Sequence, residues 1–268
     1  MKTQILYEDK DIIVCYKPAG LAVQSGRASE ADMVSELKNH LAKEGRKVMC
    51  TSGAGASVRC GLPSEKNPVY LGVIHRLDQP VSGILVFAKN PRAAAELSRQ
   101  VADHSMRKTY RAIVPARECG KAKAEKKAAE RQEGKDDGTE LTDYMVKAPG
   151  GGARIADPKE KDAKKAQLFY RCLEKKADCA LLEIDLKTGR HHQIRVQMAH
   201  AGMPLLGDNR YGNEKSLELS RRFGIRQIQL QAAGLSFTHP GTGKRISFEA
   251  ENKLGFEEWN EHKTNRGE

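Results

Sequence analysis

Two apolar runs, VYLGVI at 69–74 and GILVFA at 83–88, bracket eight mostly polar residues at 75–82. That arrangement limits the possible folds of this 268-residue chain more than any other feature of it. Each run is short and continuous, the pattern of a strand buried on both faces. The connection is too long for a two-residue hairpin turn. It therefore makes an elaborated loop between buried strands, and it carries Arg76 and Asp78. Loops held on rigid strands are where catalytic side chains concentrate.

The other elements are short. Residues 3–7 and 11–16 read as strands, the second running into the Pro18–Gly20 turn of IVCYKPAG. Met33, Val34, Leu37 and Leu41 recur at helical spacing, and Gly45 suits the position just past a helix end. Residues 50–68, rich in Gly, Ser and Pro, read as a loop. Asn90 and Pro91 form a helix start, continued by Ala94, Leu97 and Val101. Strands are expected at 108–114, 168–173, 179–186 and 230–239, and a helix at 191–201 through Ile194 and Met198. Phe256 and Trp259 read as core anchors of a final helix. Strands predominate, no repeat is visible and no regular βαβ alternation appears, which predicts an α+β fold around a mixed or antiparallel sheet. Residues 117–137 hold seven basic and six acidic residues with almost no large apolar ones. They cannot pack a core, so they read as a solvated helix or a mobile insertion.

Charge points to a partner. The formal net charge of +11 and a pI near 9.3 suit a polyanion. Six cysteines with no C-x-x-C pair argue against a zinc ribbon, and a chain of this size needs no disulfide framework. The first residues meet acids by Glu8 without an apolar core segment, and no 18-residue apolar run follows, so the expectation is a cytoplasmic protein without a membrane span. His75, His191, His192 and His200 lack H-E-x-x-H spacing and an adjoining carboxylate, so no metal site is expected. Ser82-Gly83 is only half of a nucleophile elbow. The glycines at 53–55 and 150–152 lack a P-loop lysine and read as flexible loops.

Two segments carry the chemistry. HRLDQPVSG at 75–83 taken alone reads as a turn in which Asp78 caps amides and Arg76 pairs with it. TGRHHQIRVQMAHAGMPLLGDNRYG at 188–212 packs Arg190, Arg195 and Arg210 with several histidines around one short helix. Taken alone, it is a basic face that meets solvent or phosphate. Together they resemble the RluA family of pseudouridine synthases, which shares HRLD followed by SG, GRxHQIRVQ and G-D-x-x-Y-G in this order. KPAGLAVQSG (17–26), KTYRAIV (108–114) and FTHPGTGKRISF (237–248) resemble further motifs of that family, so the likeness covers about residues 5–250.

The resemblance implies a mixed, mostly antiparallel sheet with flanking helices and a central RNA cleft, one catalytic domain over 1–268 with the insertion at 117–137. It implies that Asp78 is the essential carboxylate, that Tyr110 stands over the flipped uracil and that Arg195 pairs with Asp78. Arg76 would help displace the target base, with His75, Arg190, His192 and Gln193 as further RNA contacts. Val81 departs from the family's usual threonine, and no S4-type domain is expected before a strand that begins at residue 5.

The implied partner is structured RNA, ribosomal or transfer, with no obligate protein partner and a monomeric enzyme. The reaction is an isomerisation and needs no cofactor. The N1–C1′ bond breaks, uracil turns and C5 bonds to C1′, developing positive charge on the sugar that a carboxylate can stabilise, capture or relieve by taking the C2′ proton. Two alternatives stand beside it. A non-catalytic RNA-binding or ribosome-assembly factor gains little from an Asp–Arg pair, and a hydrolase acting on nucleic acid needs a metal or a second carboxylate.

Overall fold

The computed structural model describes residues 1–27, 30–50, 69–116, 138–176, 178–251 and 254, with the backbone alone for 44–50. Within them lie eleven strands and four helices in an α+β arrangement, and the strand pairs are antiparallel as expected. No helix among the described residues is long and apolar enough to cross a membrane. The chain forms two compact units, Met1–Met106 with Phe237–Ile246, and Arg107–Ser236 with Ser247–Glu268.

In the first unit β1 (Gln4–Glu8), β2 (Ile12–Lys17) and β4 (Ser82–Ala88) lie side by side. β2 is buried along its whole length, so its side chains read as one apolar run until Lys17. The 69–74 run yields only β3 (Gly72–Val73), which pairs with the far end of β4. Helix α1 (Met33–Cys50) starts at Asp32, whose carboxylate accepts from the Ser35 amide at 2.7 Å. It continues through Gly45, because a single glycine costs a helix only about 1 kcal/mol and does not end it. Helix α2 (Pro91–Ala102) begins as expected, with Asn90 Oδ1 accepting from Ala93 N at 2.9 Å and proline in the first turn. Its buried Gln100 exchanges two hydrogen bonds, both 2.8 Å, with the backbone of Thr238.

The second unit is built on the order β10 (Leu230–Thr238, with 230–236 in this unit), β5 (Arg107–Pro115), β9 (Cys179–Leu186), β8 (Lys164–Lys176), β6 (Thr139–Ala148) and β7 (Gly152–Ile155). β11 (Arg245–Glu249, with 247–249 in this unit) pairs with β10. Helices α3 (Gln193–His200) and α4 (Glu214–Arg222) complete it. One core cluster gathers Ile113, Cys179, Leu181, Leu206 and Leu219, with Phe223 and Ile225 against it. A second joins Met145, Ala153, Ala166 and Val196. β6, β7, α4 and β11 were not anticipated as elements. The 150–152 glycines are an ordered hairpin turn in place of a flexible loop: Gly150 and Gly151 take φ of 75° and 77°, a region that favours glycine. Of the loop expected at 50–68, Cys50 instead ends α1; residues 51–68, the charged segment at 117–137, and Phe256 and Trp259 lie outside the described residues.

Candidate active site

Asp78 lies in the first unit, on the irregular stretch between β3 and β4. Leu77 and Val81 are buried on either side of it, Asp78 is half-buried, and Arg76 is exposed. The Val81 amide donates to Asp78 O at 3.0 Å, closing a turn. The stretch is fixed from outside by Lys17. This lysine is 0% exposed, and its ammonium donates to the carbonyls of Leu21 (2.7 Å), Gln79 (2.8 Å) and Pro18 (3.1 Å). Burial pushes the Lys17 ammonium down to about 8, against the opposing pull of the Asp78 charge. The Gln79 carbonyl also accepts from Gly20 N at 2.9 Å, and Gln79 Nε2 donates to Gly20 O at 3.1 Å. The residue beside Asp78 is thus tied to the KPAGL turn by three hydrogen bonds. His75 is half-buried, with the Val86 amide directed at its Nε2 over a long 3.5 Å.

Tyr110, Arg190, His192, Gln193 and Arg195 lie in the second unit. Tyr110 is buried in the middle of β5, paired with Ala232 and Ile184. Arg195 is 7% exposed on α3, and Asp208, 1% exposed, grips it in a bidentate pair, Nε to Oδ2 and Nη2 to Oδ1, both at 2.8 Å. Oδ1 also accepts from the amides of Arg210 and Tyr211 at 3.0 and 3.2 Å. Burial alone would raise the Asp208 pKa. The Arg195 hydrogen bonds and charge, with the two amides, outweigh it and hold the carboxyl below the usual range. The Arg195 guanidinium also lies 5.0 Å from the centre of the Tyr211 ring. Asp208 and Tyr211, both from G-D-x-x-Y-G, therefore hold the arginine between them.

Residues 193–198 of α3 are all buried, so its polar side chains must be satisfied internally. Gln193 Oε1 accepts from Thr188 Oγ1 (2.8 Å) and Arg190 N (2.9 Å). Its Nε2 donates to Gln167 O (3.1 Å) and to Gln197 Oε1 (2.9 Å) one turn on. Gln197 Nε2 in turn donates to Asp143 Oδ2 at 2.8 Å. Gln193 therefore acts as an internal brace, with every polar atom of its amide engaged by the protein. Arg190 is exposed, its Nε anchored on Lys165 O at 2.9 Å.

His192 caps α3 in the left-handed region, at φ 54°. Its Nδ1 lies 2.7 Å from the Tyr211 hydroxyl, which accepts from Ala153 N at 3.0 Å. Among the described residues the phenol proton has no other acceptor, which directs it to Nδ1 and favours the tautomer with the ring proton on Nε2. His191 stacks on the same ring at 3.8 Å.

One cluster within the first unit has ligand-type atoms within 4.8 Å of one another: Asp9, Asp11 and His239. His239 Nδ1 accepts from the amides of Gly241 and Thr242, each at 3.1 Å. That leaves the proton on Nε2, 2.8 Å from Asp9 Oδ2. A metal-ligating nitrogen needs a lone pair there, so the donor set fits an imidazole that anchors Asp9 through its Nε2 proton and not a cation site.

The chain is 32% identical over 256 residues to the ribosomal large subunit pseudouridine synthase D of Zymomonas mobilis subsp. mobilis, covering 92% of this chain and 68% of that protein. It is 31% identical over 248 residues to the ribosomal large subunit pseudouridine synthase C of Salmonella typhimurium, covering 92% and 65%. Among such relatives it spans 58–69% of their length. The solved structure of human RNA pseudouridylate synthase domain containing 4 superposes with a TM-score of 0.61 at 20% identity, over 92% of this chain and 88% of that one, a likeness of fold. Residues 11–200 match the family model for RNA pseudouridylate synthase; the chain belongs to that family, as the RluA-like motifs implied.

Proposed function

We propose that this protein converts specific uridines of ribosomal RNA to pseudouridine, with Asp78 as the carboxylate that acts on the sugar or base. The observation that carries the reading is that the family match over 11–200 includes Asp78, Tyr110 and Arg195 together. The relatives named for the large ribosomal subunit support ribosomal RNA as the substrate class. A stacked uridine is out of reach, so the base is extruded at a cost of a few kcal/mol. Arg76, exposed on its loop and without a partner among the described residues, fills the vacated stack through its planar guanidinium. Tyr110 meets the flipped ring, Arg195 opposes the charge of Asp78, and His75, Arg190 and His192 contact the RNA strand.

The chemistry is redox-neutral. The N1–C1′ bond breaks, the uracil rotates, C5 bonds to C1′, the C5 proton leaves to restore conjugation, and N1 takes up a proton, so the product is an isomer. Preorganised charge at the developing oxocarbenium accounts for the rate. The reading has residues 1–268 acting as one catalytic domain, as a cytoplasmic monomer without cofactor or obligate protein partner.

The test is a map of pseudouridines in all cellular RNA with and without the gene. Loss of one or a few sites in large-subunit ribosomal RNA is expected. Loss confined to transfer RNA would correct the substrate class, and no loss in any RNA would overturn the reading.

A further inference from the structure

Lys108 lies two residues before Tyr110 on β5, so strand alternation puts the two side chains on one face. Its ammonium reaches the turn that precedes α3: a Cβ added to Gly189 would lie 3.6 Å from Lys108 Nζ and would meet no other heavy atom within 4 Å. The glycine leaves open space beside the cation. Lys108 is largely taken out of water, and burial lowers its pKa from the ordinary lysine value. No carboxylate, carbonyl or hydroxyl among the described residues accepts from its Nζ.

The contrast with other lysines is direct. Lys17, buried more deeply, has three carbonyl acceptors, while Lys176 and Lys187 pair with Glu174 and Asp185. A cation that has lost much of its hydration and gained no counter-charge is costly in the free protein. It is the arrangement expected where a ligand supplies the anion. The next residue in the turn, Arg190, is tethered by Nε, and its terminal nitrogens have no partner among the described residues.

We propose that Lys108 binds a backbone phosphate of the RNA beside the nucleotide that Tyr110 meets, in the space left by Gly189. This rests on the proposed role of Tyr110. A phosphate suits the site because an ammonium is a compact charge that demands no particular base, and RNA offers one anion per nucleotide. Lys108 would then set strand register, and base identity would be read elsewhere.

The experiment uses the full chain as wild type, Lys108→Met and Lys108→Arg, with a synthetic RNA hairpin that has a uridine-rich loop. Affinity is measured over a salt series, and pseudouridine formation is scored on the same hairpin and on ribosomal RNA. Lys108→Met keeps the length and packing of the stem but loses the charge. It is expected to weaken binding about tenfold and to reduce the slope of log K against log salt by roughly 0.7–0.9, one phosphate contact. Lys108→Arg should restore most of both. A single neutral methylphosphonate linkage in the loop should weaken the wild type and leave Lys108→Met unchanged. A wild-type slope in Lys108→Met, or equal losses for both proteins at every neutral linkage, would overturn the proposal. Binding and turnover are read separately, so a wild type that converts no uridine would refute the catalytic reading without touching this one.

Discussion

The loop that carries Asp78 and the helix that carries Arg195 solve one problem, the placing of a charge, in different ways. Around Asp78 there is no regular structure, and order comes from Lys17, whose ammonium gathers three backbone carbonyls including that of the next residue. Around Arg195 the backbone is already fixed by α3, and order comes from side chains: the Asp208 carboxylate, the Tyr211 ring and the Gln193–Gln197 ladder. A backbone clamp fixes the turn and leaves the charged side chain half-exposed. A side-chain clamp buries the charge and fixes its direction. The two clamps differ in what they hold, a backbone turn in one case and a side-chain charge in the other.

The largest expected effect lies on the helix side. Asp208→Asn leaves Arg195 buried without its counter-charge, which should cost about 3–5 kcal/mol by urea denaturation at pH 7. The folded Asp208 carboxyl is held below its unfolded value. Its contribution is therefore present above that unfolded value, near 4, and disappears as pH falls through the folded one. The gap between wild type and variant should close in acid. A cost under about 1 kcal/mol at pH 7 would break the contrast, since Arg195 would then be held by the helix alone.

A smaller effect is expected on the loop side. Lys17→Met strands three carbonyls but also relieves a buried charge, so the net loss should be about 1–3 kcal/mol. The native ammonium releases its proton at about 8, earlier than an unfolded lysine near 10.4. The native state therefore binds fewer protons between those values, and wild-type stability relative to the variant should rise with pH across that window. A gap that narrows from pH 8 to 10 would contradict the buried, three-carbonyl state.

The smallest effect sharpens the helix side. Tyr211→Phe keeps the ring over Arg195 and removes the hydroxyl that donates to His192, at a cost of about 1 kcal/mol. Nitrogen NMR of the His192 ring should find the proton on Nε2 in wild type and a mixture of tautomers in the variant. A wild-type ring protonated on Nδ1 would reverse the assignment.

The two regions were unequally legible in the sequence. The loop was found because apolar runs flank it, and β2, β4, α2, β5, β8 and β9 followed from the same pattern. Lys17 was overlooked because KPAGL reads as a turn, although a lysine ending a fully buried strand is itself a signal. The motif G-D-x-x-Y-G was visible, but not that Asp208 answers Arg195, because the partners lie 13 positions apart in sequence and not at helical spacing. Gln193 was expected as an RNA contact from the family likeness, and its burial was not foreseen. A helix buried on all sides turns its glutamines into internal partners, and nothing in local periodicity distinguishes the two. α4 was legible in principle, since Asn213 and Ser216 form a capping box.

The most direct measurement is single-turnover pseudouridine formation by purified Asp78→Asn on an RNA that the wild type converts, with RNA affinity measured in parallel. The amide keeps the shape of the side chain and removes its charge. Pseudouridine should fall to background while affinity stays within a few-fold of wild type. Substantial turnover by the pure variant would contradict the assignment of Asp78 as the catalytic carboxylate.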